Sequence, residues 1–171
     1  MEKIDLKALG APLVERIAKE WMLVTAGTAD GWNTMTASWG GVGWLWNRPV
    51  AFVFVRPERY THEFIERHER LTLSFLSPEE RDVLSFCGSH SGRDCDKAQA
   101  TGLRPLPTPG GSVTFEQARL TLECRKLFKS EMATADFLDK ECLERWYGPG
   151  EGQSLHTVYV VEIEHAYSKD L

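Results

Sequence analysis

The chain has 171 residues, of which 42% are hydrophobic and 11% aromatic, enough for one globular domain with a core of its own over residues 1–171. Basic residues number 20 and acidic residues 25, for a net charge of −5, and no basic run stands out, which argues against nucleic acid as a partner. No apolar stretch is long enough to span a bilayer, and the opening Met-Glu-Lys-Ile-Asp lacks the apolar centre of a signal peptide, so the expectation is a cytoplasmic protein that does not use a membrane.

Residues 12–20 read as a short helix with Leu13, Ile17 and Val14 facing inward. Residues 21–28 form a first strand, and Ala29-Asp30-Gly31 is a hairpin turn signalled by its Asp-Gly pair. From 33 to 39 the chain alternates strictly. Met35, Ala37 and Trp39 fall on one side of a strand, and Thr34, Thr36 and Ser38 on the other. That hydroxyl side offers regularly spaced donors and acceptors to a ligand, or it is simply a wet face rich in threonine, which strands favour anyway. Gly40-Gly41-Val42-Gly43 reads as a flexible or bulged passage.

Residues 50–55 are apolar at every position and predict a strand covered on both faces. Arg56 ends it and Pro57 blocks its continuation. Arg59 and Tyr60 follow, and then Thr61 is placed to cap a helix over residues 62–68 with Glu63 in its first turn. The free amides of a helix start attract anions, and the forks of Arg56 and Arg59 suit phosphate oxygens. The plainer alternative is a capped helix whose arginines pair with Glu58, Glu63 or Glu66.

Residues 71–76 make another strand. A helix starts at Ser77-Pro78 and runs to about residue 87, residues 88–92 are a polar loop, and residues 94–101 form a short helix stopped by Gly102. Residues 104–111, with three prolines and two glycines, are an ordered excursion from one barrel rather than a linker. A long strand over 119–129 comes next. A helix over 135–146 follows, with Phe137, Leu138, Cys142 and Leu143 as its apolar side. A Gly/Pro break over 148–152 precedes a closing strand over 156–165. Hairpin-linked strands interrupted by helices give a mainly β chain with helical insertions, an α+β fold built on a closed or nearly closed antiparallel barrel. No glycine-rich dinucleotide fingerprint is present.

The four cysteines, Cys87, Cys95, Cys124 and Cys142, match no zinc or Cys-x-x-Cys spacing and are expected as free thiols, although Cys87 and Cys95 are near enough in sequence to form a redox pair. The five histidines form no local ligand cluster, so no metal is expected. Four of the six tryptophans, Trp32, Trp39, Trp44 and Trp46, crowd one region, where they can stack on a ring, line a subunit interface or fill the core.

The run from Asn33 to Trp39, the segment from Arg56 to Thr61 and the sequence Ser91-Gly92-Arg93-Asp94-Cys95-Asp96-Lys97 together resemble the flavin reductase-like family with an FMN-binding split barrel, the flavoredoxin type. The ending from His156 to Ile163 is similar to that family's last core strand, and the likeness extends from about residue 21 to residue 166. The resemblance implies an antiparallel FMN-binding split β-barrel, with FMN held between the subunits of a homodimer. By position it implies that Thr36, Ala37 and Ser38 contact the ring and ribityl chain, and that Arg56 and Thr61 hold the phosphate with Arg59 or Tyr60 beside them. Ser91 and Gly92 would form a loop at the cofactor edge. Lys97 would lie near the phosphate or the ring, or else be an ordinary solvated helix lysine.

Under that resemblance the chain is expected to be an oxidoreductase that takes hydride from NADH or NADPH onto bound flavin and passes electrons to free flavin or another acceptor. An FMN-binding electron carrier reduced by a protein partner would use the same site. A non-redox barrel with tryptophans at a dimer seam is the remaining reading, and it leaves Arg56, Arg59 and Thr61 without a shared purpose. No acid–base pair or nucleophile stands out, so no catalytic residue is assigned.

Overall fold

The computed structural model describes residues 2–4, 13–149 and 154–169. Among the described residues ten strands run in chain order: β1 (Glu2–Ile4), β2 (Met22–Thr28), β3 (Gly31–Ala37), β4 (Gly40–Leu45), β5 (Arg48–Val55), β6 (Arg70–Leu76), β7 (Pro105–Pro107), β8 (Val113–Phe115), β9 (Ala118–Glu131) and β10 (Thr157–Ser168). The helices are α1 (Leu13–Glu15, running on as a π-helical turn over Arg16–Glu20), α2 (Tyr60–Arg67), α3 (Arg81–Ser89), α4 (Lys97–Thr101) and α5 (Lys140–Tyr147). The expected first helix begins at residue 12 and the expected break reaches 152, so Pro12 and residues 150–152 lie outside the described residues.

The main sheet is antiparallel throughout, in the order β3-β2-β6-β9-β10-β5-β4, with β1 added to β10. Its two ends, β3 and β4, are consecutive in sequence and joined only by Ser38 and Trp39. Three chain steps reach at most roughly 11 Å, so the sheet has to roll up until its edges nearly meet. This is the split barrel expected from the sequence, and the seam between its edges falls at Ser38–Trp39. The interior is filled by Val24, Met35, Val53, Leu73, Leu122 and Tyr159, among others. A second apolar layer, with Leu23, Leu84, Cys87 and Phe115, packs α3 and the β7–β8 hairpin against the outside of β2.

Several local expectations are corrected by the packing. Val14 points to solvent, so only Leu13 and Ile17 anchor the first helix. The glycines from 40 to 43 form no bulge, and β4 pairs with β5 in unbroken register from Gly40↔Val53 to Leu45↔Arg48. The β2–β3 turn occupies Ala29 and Asp30, and the positive φ sits earlier, at Gly27 (119°), where a side chain would meet the Gly31 carbonyl and the Trp32 backbone. The β4–β5 turn instead places Trp46 and Asn47 at φ 51° and 58°, the pattern of a type I′ hairpin without glycine. Phe52 and Phe54 on β5 remain partly exposed, so that strand is covered fully on one face only. Leu138 is 98% exposed and lies ahead of α5, which starts at Lys140 behind an Asp139 cap, rather than forming part of its packed face.

The proline-rich excursion closes on a buried acid. Glu123 on β9 accepts from the Thr108 hydroxyl, the Gly110 amide (3.3 Å) and the Tyr167 hydroxyl (3.0 Å). Gly110 is needed there, because an added Cβ would lie 2.5 Å from Glu123 Oε1. All four cysteines are free, with Cys87 and Cys124 buried. Among the described residues no group of His, Cys, Asp or Glu is placed to hold a metal ion, and no helix is long and apolar enough to cross a membrane.

Candidate functional site

Two adjoining cavities open beside the seam of the barrel, and they share Met35 and Arg59. The first, of about 120 Å³, is walled by β3, the start of α2, the end of α3 and the Ser91–Gly92 turn. Arg59 and Lys97 bring positive charge to it. Arg59 donates to the Gly88 carbonyl (2.7 Å) and more weakly to that of Cys87 (3.5 Å). Lys97, only 5% exposed, donates to the carbonyls of Thr34 (2.7 Å) and Cys87 (2.9 Å). Among the described residues neither forms a salt bridge with a carboxylate. Burial pushes the pKa of Arg59 down and brings that of Lys97 down to about 8. Glu58 also lines this cavity but accepts from the Ser154 amide, so the buried Lys97 and half-buried Arg59, bonded only to neutral acceptors, leave room for an anion.

The start of α2 adds neutral donors. Arg59, in an extended conformation (ψ 128°), is the N-cap, so Thr61 is the second helical residue and not the cap expected for it. The reason is local: Thr61 is fully buried, and its hydroxyl accepts from Asn33 Nδ2 at 2.7 Å instead of turning back on its own helix. The amides of Tyr60 and Thr61 precede the first possible intrahelical bond and remain available to a ligand. Gly92 closes the wall. A Cβ there would lie 1.9 Å from Asn33 Oδ1 and 3.3 Å from the Tyr60 ring, so only glycine lets this turn approach the Asn33 amide.

The second cavity, of about 160 Å³, is lined by residues 35–39 at the seam, by Phe54 and Arg56 at the end of β5, by Arg59 and by His156. Its character is aromatic. The Trp39 ring lies 5.4 Å from His156 and 5.0 Å from Trp146 of α5. Arg56 donates to the carbonyls of Trp146 and Ser154, both at 3.2 Å, and lies over the Tyr147 ring. Its guanidinium therefore ties down the C-terminal segment and borders the aromatic cavity, whereas Arg59, Tyr60, Thr61, Ser91, Gly92 and Lys97 gather round the cationic one. Thr36, Ala37 and Ser38 lie along the aromatic cavity as well. The hydroxyl row is partly spent within the protein: Thr36 donates to the Leu84 carbonyl (2.6 Å), and Thr34 bonds to Thr25 (2.8 Å) beneath the outer layer.

The residues not assigned from sequence are Asn33, Met35, Trp39, Phe54 and His156. Asn33 heads the very run that carries the family likeness, which was the available signal. Phe54 and His156 meet only because β5 pairs with β10, a contact that no local pattern reveals. His156 is 8% exposed, and burial, helped by the Arg56 charge, lowers its pKa to about 4.

A model of the flavin reductase like domain matches residues 14–170. No curated protein matches the sequence. Among solved structures, the FMN-binding protein from Thermus thermophilus is similar at 21% identity, with 87% of this chain and 71% of that chain covered and a TM-score of 0.67. Flavoredoxin from Methanosarcina acetivorans gives 21% identity, coverage of 88% and 69%, and a TM-score of 0.69. The NADH:FAD oxidoreductase from Streptomyces globisporus C-1027 gives 16%, 87% and 75%, and 0.63. At these identities the structural likeness establishes a shared fold.

Proposed function

The chain belongs to the flavin reductase-like family, and from that membership and its paired cavities we propose that it is an FMN-binding, NAD(P)H-dependent flavin oxidoreductase. The observation that carries the reading is the buried Lys97 and the half-buried Arg59, set without a carboxylate partner next to an adjoining aromatic cavity. In this reading Arg59, Lys97, the Thr61 hydroxyl and the amides of Tyr60 and Thr61 hold the phosphate, with Ser91 and Gly92 closing the far wall. The ribityl chain passes Met35 at the shared edge. The ring lies along Thr36, Ala37 and Ser38, against Phe54 and His156, with Arg56 at its border.

Bound flavin supplies the redox chemistry, accepting hydride from NADH or NADPH and passing electrons to free flavin or another acceptor. The chain's own part is to fix the phosphate, lay the ring flat and limit water at its edge. The aromatic cavity is small and open for a ring site, since ligand pockets run to roughly 300–1,000 Å³. Trp44 is 69% exposed, and the exposed rings of Trp46 and Phe128 lie 6.2 Å apart, which gives a second copy apolar surface to cover. A homodimer with the cofactor at its interface follows from that reading.

The experiment is direct. The purified protein, loaded with FMN, is expected to show a flavin absorbance band and to oxidise NADH or NADPH when free flavin is added. A flavin band that dithionite bleaches but neither nicotinamide does would transfer the assignment to an electron carrier. Failure to take up FMN at all would end the flavin reading.

A further inference from the structure

We infer that Tyr147 of α5 is a positioning residue: its hydroxyl donates to His156 Nδ1 and thereby fixes the neutral imidazole with its proton on Nε2, facing the aromatic cavity. The hydroxyl oxygen is 2.6 Å from Nδ1. Among the described residues its one other acceptor is the Met132 sulfur at 3.7 Å, a weak partner at a long distance. Burial pushes the Tyr147 pKa up, so the phenol keeps its proton, and Nδ1 at 2.6 Å is a far better acceptor for it than the sulfur. An imidazole that accepts at Nδ1 and is neutral carries its hydrogen on Nε2.

The second nitrogen can be placed by elimination. His156 lines the aromatic cavity, and among the described residues its Nε2 has no hydrogen-bond partner. Among the described residues the one buried side-chain nitrogen or oxygen left without a partner is His165 Nδ1, so His156 Nε2 is not enclosed, which puts it on the side of the cavity that this residue lines. The ring itself is held on several sides. Its backbone carbonyl accepts from the Met132 amide (3.1 Å), Trp39 leans on one side and Phe54 stands edge-on at 6.5 Å.

The charges facing it come from three elements. Arg56 at the end of β5 opposes protonation, Glu58 in the following turn favours it more weakly, and Tyr147 on α5 is neutral. The result is a fixed N–H donor that stays neutral well below the ordinary histidine range. A ligand in the cavity then has to offer an acceptor to Nε2: a ring carbonyl, an unprotonated ring nitrogen or a carboxamide oxygen. This last step, the class of ligand atom, rests on the flavin reading; the tautomer does not.

The test is a long-range ¹H–¹⁵N correlation spectrum of the full-length, ¹⁵N-labelled chain without ligand, from about pH 8 to about pH 5. The His156 signals are identified by their loss in His156→Gln. The expected result is a protonated Nε2, an accepting Nδ1 and no titration across that window. Tyr147→Phe retains the ring against Phe137 and Arg56 and removes only the donor. It should bring in the Nδ1-protonated tautomer and raise the His156 pKa, because the donor that favours the neutral ring is gone. A wild-type proton on Nδ1 overturns the inference, and so does a Tyr147→Phe spectrum with the same tautomer and pKa. The wild-type spectrum decides the matter even where the variant fails to fold. Added FMN is expected to shift the Nε2–H signal. A shift absent despite a flavin band overturns the ligand step alone, whereas no band at all removes the flavin reading and leaves the tautomer to its own result.

Discussion

Two buried charged sites in this molecule are built in opposite ways. Glu123 is wholly enclosed, and three donors from the excursion and from β10 converge on its carboxylate. Lys97 is also buried, with Arg59 half-buried beside it, yet they are met only by backbone carbonyls, at the end of α3 and, for Lys97, at Thr34 of β3 as well. The first site is complete as it stands. The second holds cations at a desolvation cost with no ionic partner, and a cavity lies in front of them. That contrast is what the proposed anion site predicts: a closed clasp that serves folding and an open one left for a ligand.

The sharpest way to break that contrast is to remove the acid. Glu123→Leu leaves the Thr108 hydroxyl, the Gly110 amide and the Tyr167 hydroxyl without an acceptor, and should cost roughly 3 kcal/mol or more of folding stability. Urea denaturation measures it, and the FMN affinity of the folded fraction should not move. An unchanged denaturation midpoint would mean that the clasp holds nothing. The converse variant is Arg59→Met. It should weaken FMN binding by about 2 kcal/mol, the scale of a charge-assisted hydrogen bond, without lowering the denaturation midpoint, because a partly desolvated charge has been removed. Riboflavin, which has no phosphate, should bind both proteins alike. A fall in stability with no change in FMN affinity would make Arg59 a structural cap of α3.

Arg56 tests the boundary between the cavities. Its guanidinium is already engaged with two carbonyls of the C-terminal segment, so Arg56→Ala should act by loosening α5. The expected loss is about 1 kcal/mol, equal for FMN and riboflavin. A loss confined to FMN would return Arg56 to the phosphate.

The barrel itself was legible in the chain. Strict alternation at 33–39, the apolar run at 50–55 and the long strand beginning near 119 each have a local cause in side-chain period, and each became a strand. The site was legible only in part. Arg59, Thr61, Ser91, Gly92 and Lys97 lie in short motifs, and they converge on one cavity. The split between Arg56 and Arg59 was not, because three residues of separation look like one site until the turn at Pro57 sends the two guanidiniums to different carbonyls. The fate of the threonine row was also hidden. Alternation says which side Thr34 and Thr36 occupy but not that α3 covers it, since that contact spans 48 residues from Thr36 to Leu84. Lys97 gave no sequence sign of burial either: in a five-residue helix a lysine belongs by default to solvent.

That buried lysine supplies the finest test of the contrast, because one proton should move folding and binding in opposite directions. Its pKa falls from 10.5 in the unfolded chain to about 8 in the folded one. A lowered pKa means that the fold favours the neutral amine. The stability this group contributes is therefore full above pH 10.5, declines as pH falls toward 8 and is flat below. Binding an anion needs the charged form. Above about pH 7, where the phosphate is fully ionised, FMN affinity should accordingly be level up to pH 8 and fall as pH rises through it, by up to about tenfold per unit, while riboflavin affinity stays level. Lys97→Met should abolish the slope and leave riboflavin unaffected. Fluorescence titration at a series of pH values reads both flavins. Identical pH profiles for FMN and riboflavin would show that Lys97 does not face the phosphate, and would leave Arg59 and the start of α2 to hold it alone.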